Sequence, residues 1–180
     1  MLPPGHIAAG FLTAKALLNF VHPALTSQQH NHLLWWGMFF GFAPDIDMFY
    51  VFFRQRSMLV SGNEKISHRK FISHAPILWL IAGLLIYFFS SSAYVKFIGL
   101  LLWLGSWSHF LLDSIYYGVM WLWPFSSKIY ALKDREVRWT IYERSFFKHN
   151  WKFFILYTKK PLFYLEILII IVAIVISTKY

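Results

Sequence analysis

Apolar residues gather in five long runs along this chain, and shorter polar or basic stretches separate them. A helix that crosses a membrane needs about 20 mainly apolar residues, and sustained runs of this length favour helices over strands. The second run is short unless its helix continues past Pro44. The pattern therefore predicts an all-α fold, a polytopic membrane helix bundle with about five spans. The predicted spans are 4–21, 33–42, 75–89, 94–117 and 162–176.

Composition supports this prediction. Hydrophobic residues make up 58% of the 180 residues and charged residues only 14%, whereas soluble domains average about 45–50% apolar and about 25% charged residues. We expect the excess to face lipid. Cysteine is absent, which excludes disulfides and thiolate metal sites.

The positive charge is distributed unevenly. The net charge is +9, and the basic residues concentrate in 54–70 and 128–160, while 22–32 and 90–93 have no Lys or Arg. Five spans place both basic stretches and the N-terminus on one side, which the positive-inside rule assigns to the cytoplasm, with the C-terminus outside. Because the charges adjoin apolar runs, we expect membrane lipids or a phosphate-bearing substrate as partners, and not nucleic acid.

Imidazole and carboxylate groups lie beside or inside the apolar runs. A carboxylate at mid-membrane costs about 2.5–3.5 kcal/mol, so these groups must be paired, hydrated or neutralised by a metal. His and Asp without sulfur are typical ligands for zinc or a similar divalent ion. The predicted topology brings them all to the cytoplasmic face, whereas His22, His30 and His32 map to the opposite face. The candidate metal ligands are His6, Asp45, Asp47, His68, His74, His109 and Asp113.

The clearest motif is a histidine followed by an aspartate four residues later. This spacing places His109 and Asp113 on one helix face, about one turn apart. The pair can bind one ion together or bridge two ions. In the alternative interpretation, Asp113 caps or hydrogen-bonds a neighbouring helix and His109 is its partner.

A helix breaker precedes two further carboxylates. Pro44 disfavours helix at the residue before it, so the backbone is expected to turn or restart near Asp45 and Asp47. One carboxylate is expected to bind metal directly while the other orients a histidine. In the alternative interpretation, Asp45 is the N-cap of a helix over 46–53, and both interpretations can hold together.

Two histidines six residues apart precede the third run, and this spacing fits one helix face poorly. We place His68 on the loop and His74 in the first turn of the third helix, with Ser73 as N-cap and Pro76 in that turn. Arg69 is expected to bind an anionic substrate oxygen, because guanidinium binds phosphate through two hydrogen bonds. The alternative is an ordinary positive-inside arginine.

Four ordered motifs carry a resemblance to a known family. Over about residues 5–127 the chain resembles the YdjM-like family of inner-membrane metal-dependent hydrolases, which is itself distantly similar to zinc-dependent phospholipase C. The motifs are Gly5-His6, Pro44-Asp45-Ile46-Asp47, His68-Arg69 with Ser73-His74, and Ser108-His109-Phe110-Leu111-Leu112-Asp113 followed by Gly118 and Pro124-Phe125-Ser126.

The resemblance implies a zinc-dependent hydrolase of the bacterial-type inner membrane, multi-pass, with its active site facing the cytoplasm. The expected reaction is hydrolysis of a phosphoester in a phosphorylated lipid or lipid-linked substrate by metal-activated water. Between one and three divalent ions are expected, with two preferred. Asp47 is the expected catalytic base or bridging carboxylate, and Arg69 the expected substrate-binding residue.

The resemblance over about residues 5–127, together with the charge and apolar pattern beyond it, suggests three parts of the chain. Residues 1–127 form the membrane-embedded hydrolase domain, 128–160 a basic cytoplasmic interfacial segment, and 161–180 a C-terminal transmembrane helix. The interfacial segment is expected to form amphipathic helices on the cytoplasmic leaflet, with a solvated loop as the alternative.

Two other functions remain open. Pairs of the His109–Asp113 type also hold the ion in zinc carriers, so a divalent metal transporter is one alternative. Transporter sites usually lie near mid-bilayer and within inverted repeats, and the sequence shows no repeat. The other alternative is a membrane adaptor without catalysis, in which a closed metal site is structural.

Overall fold

Helices account for most of the chain in this computed structural model, which describes residues 1–47, 49–50, 70–133 and 146–178. Within those residues there is no β-strand beyond an isolated bridge between Val119 and Tyr130, so the all-α prediction is confirmed. The α-helices are α1 Pro3–Val21, α2 Ser27–Phe42, α3 Pro76–Phe89, α4 Ala93–Asp113, α5 Phe146–Thr158 and α6 Pro161–Ser177.

The five predicted apolar segments each correspond to a helix, and the largest difference is at the start of α2. This helix begins at Ser27, six residues before the apolar run that predicted it. The Thr26 side chain accepts a hydrogen bond from the Gln29 backbone, and the Gln29 side chain accepts one from Thr26. This reciprocal capping box satisfies the first free N–H groups, so the polar residues before the apolar run are helical too.

The end of α2 agrees with the predicted break at Pro44. The α-helix ends at Phe42, and Ala43–Ile46 continues as a 3₁₀ turn. A second 3₁₀ turn, Ile72–His74, leads into α3. These two turns lie against each other, and each carries a candidate ligand.

Glycines allow the first two helices to approach closely. A Cβ atom on Gly10 would lie 2.1 Å from the carbonyl oxygen of Gly37, and one on Gly41 would lie 2.4 Å from that of His6. Small residues at such crossings let backbones touch, as in membrane helix pairs. Helix α4 packs on both α1 and α2, α3 packs on α4, and α6 packs on α1. The result is a bundle in which neighbouring helices α1 and α2, and α3 and α4, run antiparallel.

Helix length bears on the predicted spans. In the described part of the chain, α4 is the one helix of 21 residues that is long and apolar enough to cross a membrane, while α3 and α6 are shorter apolar helices of 14 and 17 residues. At 1.5 Å per residue, 14 residues cover only about 21 Å. The five-span topology and the orientation of the termini are therefore not supported by these lengths and stay predictions, as does the division into three parts.

Candidate metal centre

The bundle brings six of the seven candidate ligands to one end, and five of these form groups of ligand atoms. His6 lies in the first turns of α1, Asp45 and His74 lie in the two 3₁₀ turns, and His109 and Asp113 lie in the last turns of α4. Antiparallel packing explains this, because the start of α1 and the ends of α2 and α4 meet at the same end of the bundle. None of these residues is near another in sequence except the last two.

Two overlapping groups of ligand atoms form there. His6, His109 and Asp113 make up the first group, and Asp45, His74 and His109 the second; within each group the donor atoms lie within 4.8 Å of one another. In the first, His6 Nε2 is 3.3 Å from Asp113 Oδ1, and His109 Nε2 is 3.9 Å from Asp113 Oδ2. The predicted face shared by His109 and Asp113 is therefore part of a larger cluster.

The second group is centred on Asp45. Its Oδ1 atom lies 3.5 Å from His74 Nε2 and 3.6 Å from His109 Nε2. The carboxylate thus faces two imidazoles, as the metal-ligand interpretation of this residue expects.

His109 belongs to both groups through one nitrogen. Its Nδ1 atom lies 3.0 Å from the carbonyl oxygen of Gly41. A carbonyl only accepts hydrogen bonds, so Nδ1 must carry the proton, and Nε2 presents its lone pair to the cluster. The close crossing at Gly41 therefore fixes the tautomer of His109.

Asp47 holds the opposite side of the His74 ring. Its Oδ2 atom lies 3.0 Å from His74 Nδ1 and accepts a hydrogen bond from the Ser73 hydroxyl. This contact turns His74 Nε2 toward Asp45. Asp47 therefore has the role expected for one of the two carboxylates, that of orienting a histidine. The predictions that Ser73 caps α3 and that His74 lies in its first turn are wrong: the N-cap is Ala75, His74 ends the 3₁₀ turn before it, and the Ser73 side chain bonds Asp47 instead.

The cluster is almost sealed from solvent. His6, His74 and His109 are 0% exposed, Asp113 1% and Asp45 6%. Among the described residues, neither ring nitrogen of His6 has a hydrogen-bond partner, and neither does the Nε2 atom of His109. Buried polar atoms are nearly always satisfied, so these nitrogens indicate a missing partner such as a cation.

Charges in the two 3₁₀ turns shift each other's titration. Burial raises the pKa of Asp45, but the neighbouring His74 and His109 outweigh burial and hold the pKa well below its ordinary value. Burial lowers the pKa of His74, but Asp45 and Asp47 outweigh burial and raise the pKa from 6.5 to about 8. In the absence of metal, His74 is therefore protonated at neutral pH.

Sequence reasoning missed two neighbours of the cluster. The amino group of Met1 donates to Asp113 Oδ1 at 2.7 Å. Glu166 of α6, 3% exposed, accepts hydrogen bonds from the backbone N–H groups of Leu2 and Gly5. The signal for Glu166 was its place as the single acidic residue of an apolar helix.

Two candidate residues, His68 and Arg69, lie outside the residues that the structure describes. Their predicted roles as ligand and substrate-binding residue stay predictions. The alternative in which Asp45 caps a helix over 46–53 reaches into the same undescribed region.

The comparison with protein-family models gives one finding for this chain. The model described as YdjM inner membrane protein matches residues 1–180. The match confirms the family resemblance and extends it beyond residue 127 to the C-terminal helices. No curated protein and no solved structure matches the chain.

Proposed function

Because the chain belongs to the YdjM inner membrane protein family, we propose that it is a membrane-bound, metal-dependent hydrolase. Its proposed substrate is a phosphoester in a phosphorylated lipid or lipid-linked molecule. The proposed arrangement has five spans, an N-terminus in the cytoplasm and a metal centre at the cytoplasmic face of the inner membrane.

The observation that carries this proposal is the buried convergence of three imidazoles and two carboxylates from distant parts of the chain. Desolvating so many polar groups is unfavourable unless each is bonded to a partner. The unpartnered nitrogens of His6 and His109 face Asp113 and Asp45. A divalent cation would satisfy these nitrogens and neutralise the carboxylates.

The donor set fits zinc or a similar divalent ion, because it offers nitrogen and oxygen atoms only. The two groups of donors share His109 Nε2, and its other nitrogen is bonded to Gly41. One lone pair binds one ion. His109 can therefore complete one of the two groups at a time, and a second ion, which the sequence favoured, would take the remaining ligands of the other group together with further ligands.

The chain's own residues would divide the work as follows. One or both of the two groups, His6, His109 and Asp113 or Asp45, His74 and His109, would hold metal, and Asp47 would keep the His74 ring oriented through Nδ1. A bound divalent ion lowers the pKa of water toward neutrality and polarises a phosphoryl oxygen. Arg69, one residue after His68, is proposed to bind the phosphoryl oxygens, and Asp47 to act as a base.

Metal analysis combined with an activity assay tests the proposal. Protein purified into lipid nanodiscs should contain divalent metal and hydrolyse a member of a panel of phosphorylated lipids. Chelation should abolish turnover and Zn²⁺ should restore it. Asp113→Ala should lose both metal and turnover, while His32→Ala, at the opposite end of the bundle, should keep both. Full turnover by the metal-free Asp113→Ala variant would contradict the proposed mechanism.

One observation favours a second function, a membrane adaptor with a structural metal. The candidate ligands are 0–6% exposed, and closed sites are typical of structural zinc. The same experiment separates the two functions. A structural ion predicts stoichiometric metal without turnover on any phosphorylated lipid, and a large fall in Tm when the metal is removed.

A further inference from the structure

Glu166 is a buried carboxylate in α6 that the proposed chemistry does not use. It is 3% exposed, and a carboxylate removed from water needs strong hydrogen bonds. Its Oε1 atom accepts from Gly5 N at 3.1 Å, and its Oε2 atom accepts from Leu2 N at 3.3 Å and from the Tyr157 hydroxyl. Burial, together with this bond to Glu166, raises the pKa of Tyr157, so its hydroxyl remains a donor.

These bonds anchor the beginning of α1. The first N–H groups of a helix have no partner within the helix, and α1 has no side-chain cap from Leu2 and no acidic residue in its first turn. Pro3 and Pro4 carry no N–H group, so the backbone donors on either side of them are those of Leu2 and Gly5. Glu166 accepts from both, although Gly5 N also donates to the Leu2 carbonyl oxygen at 3.1 Å. It therefore caps α1 from a different helix and places a negative charge at the positive end of the α1 dipole.

The glycine at position 5 makes this contact sterically feasible. A Cβ atom there would lie 2.7 Å from Cγ of Glu166 and 2.8 Å from its Oε1. The next residue in the chain is His6, whose imidazole belongs to the candidate metal centre. A carboxylate of α6 and a candidate ligand of α1 are thus joined through one peptide unit.

His6 differs from the other two histidines of the centre. His74 is oriented by Asp47 and His109 by the Gly41 carbonyl, as is usual for metal-binding histidines. Neither ring nitrogen of His6 has a hydrogen-bond partner among the described residues, although its ring stacks on that of His109 with centroids 3.7 Å apart. Apart from the 3.3 Å approach of its Nε2 atom to Asp113 Oδ1, the position of His6 comes from its backbone and from that stacking.

We propose that Glu166 is a positioning residue for the metal centre, which holds His6 in place through the first turn of α1. Tyr157 supports it from α5. The C-terminal helices then support the metal centre, although the sequence placed them outside the hydrolase domain of residues 1–127. The proposal rests on the proposed metal-binding function.

A double-mutant cycle tests the proposal. The dissociation constant for Zn²⁺ is measured by competition with a chelator for the wild type, Glu166→Ala, His6→Ala and the double variant. Glu166→Ala should weaken binding about 10–100-fold, the range for outer-shell partners. In the His6→Ala background the same substitution should change binding less than about twofold, because residues that act through each other are not additive.

Two further variants guard against a general loss of structure. Glu166→Gln keeps an acceptor for one backbone N–H group and should fall between the wild type and Glu166→Ala. Ile169→Ala removes an apolar side chain of α6 that packs in the cluster around Tyr157, and it should leave Zn²⁺ affinity unchanged within about twofold. An equal effect of Glu166→Ala with and without His6 would overturn the proposal.

A readout without metal separates this proposal from the metal site itself. Hydrogen exchange at the Leu2 amide, for which Glu166 is the acceptor found among the described residues, is measured in metal-free wild type and in metal-free Glu166→Ala, where it should rise at least about tenfold. Unchanged exchange would overturn the anchoring of α1 by Glu166. Wild-type protein that binds no Zn²⁺ would overturn the metal centre and the role of His6 in it, while the exchange result would still decide whether Glu166 holds α1.

Discussion

Each end of the bundle carries a set of three histidines whose surroundings the structure describes, and the two sets differ. At the end where α1 begins, His6, His74 and His109 are fully buried. At the end where α1 finishes, His22 and His32 are exposed and His30 is half-buried. The first set faces Asp45 and Asp113. Both groups of possible metal ligands found among the described residues therefore lie at the first end.

The second end has a cavity where the first has a sealed cluster. The cavity has a volume of about 570 Å³, and its lining includes Lys15, His22 and His30 but, within residues 1–47, 49–50, 70–133 and 146–178, no carboxylate. Among the described residues, the imidazoles at this end therefore lack the facing carboxylates of the first end. At the first end, carboxylates face the imidazole rings. In addition, the Asp47 side chain orients the ring of His74, and the Gly41 carbonyl orients the ring of His109.

Removing the shared ligand should produce the largest change. His109→Ala deletes the one nitrogen common to both groups, so Zn²⁺ affinity should fall by more than the 10–100-fold typical of outer-shell losses. His32→Ala, a matched change at the other end, should alter affinity less than about twofold. Chelator competition measures both, and equal effects of the two variants would remove the distinction between the ends.

The helix crossing beneath the centre should be nearly as sensitive. A Cβ atom in Gly41→Ala would lie 2.4 Å from the His6 carbonyl oxygen, and overpacking of this kind costs about 1–3 kcal/mol. In Gly105→Ala the nearest atom is the Phe40 Cβ at 3.1 Å, so the loss should be smaller. Thermal unfolding in detergent gives both values, and a Gly41→Ala Tm equal to that of the wild type would contradict the close approach.

Loss of the orienting carboxylate should weaken the site without abolishing it. Asp47→Asn replaces the negative charge behind His74 Nδ1 with a neutral amide, so Zn²⁺ affinity should fall about 10–100-fold. The metal stoichiometry at saturating Zn²⁺ should stay the same. Complete loss of binding would instead assign Asp47 to the ion directly.

The pH dependence of binding should show the smallest effect. Because the pKa of His74 is raised to about 8, a proton occupies its ring below that pH and must leave before metal binds. Between pH 7 and pH 9 the apparent Zn²⁺ affinity should therefore rise about tenfold, and one proton should be released per ion at pH 7. Asp47→Asn should flatten this profile. Affinity that is constant over this pH range in the wild type would show that His74 carries no such proton.

Local sequence signals predicted the parts of the fold that depend on neighbouring residues. The break at Pro44, the first helix and the shared face of His109 and Asp113 are set by backbone sterics and helical spacing. The start of α2 was missed because the prediction followed hydrophobicity, whereas the capping box at Thr26 decides where this helix begins.

The parts of the site that depend on tertiary packing could not be read from the sequence. The two roles for the carboxylates after Pro44 were foreseen, but only the fold shows that Asp47 bonds His74 while Asp45 faces two imidazoles. The contact of Glu166 with the start of α1 joins residues 161 positions apart. No local pattern encodes a separation of that size.

The most direct test of the account is the metal bound to the wild-type protein as it is isolated. Elemental analysis should find about one divalent ion per chain, and X-ray absorption at the metal edge should show nitrogen and oxygen ligands that include imidazole. His109→Ala should lose that ion, whereas His32→Ala should keep it. Wild-type protein without metal, or with an ion that is equally retained in His109→Ala, would contradict a metal centre at this end of the bundle.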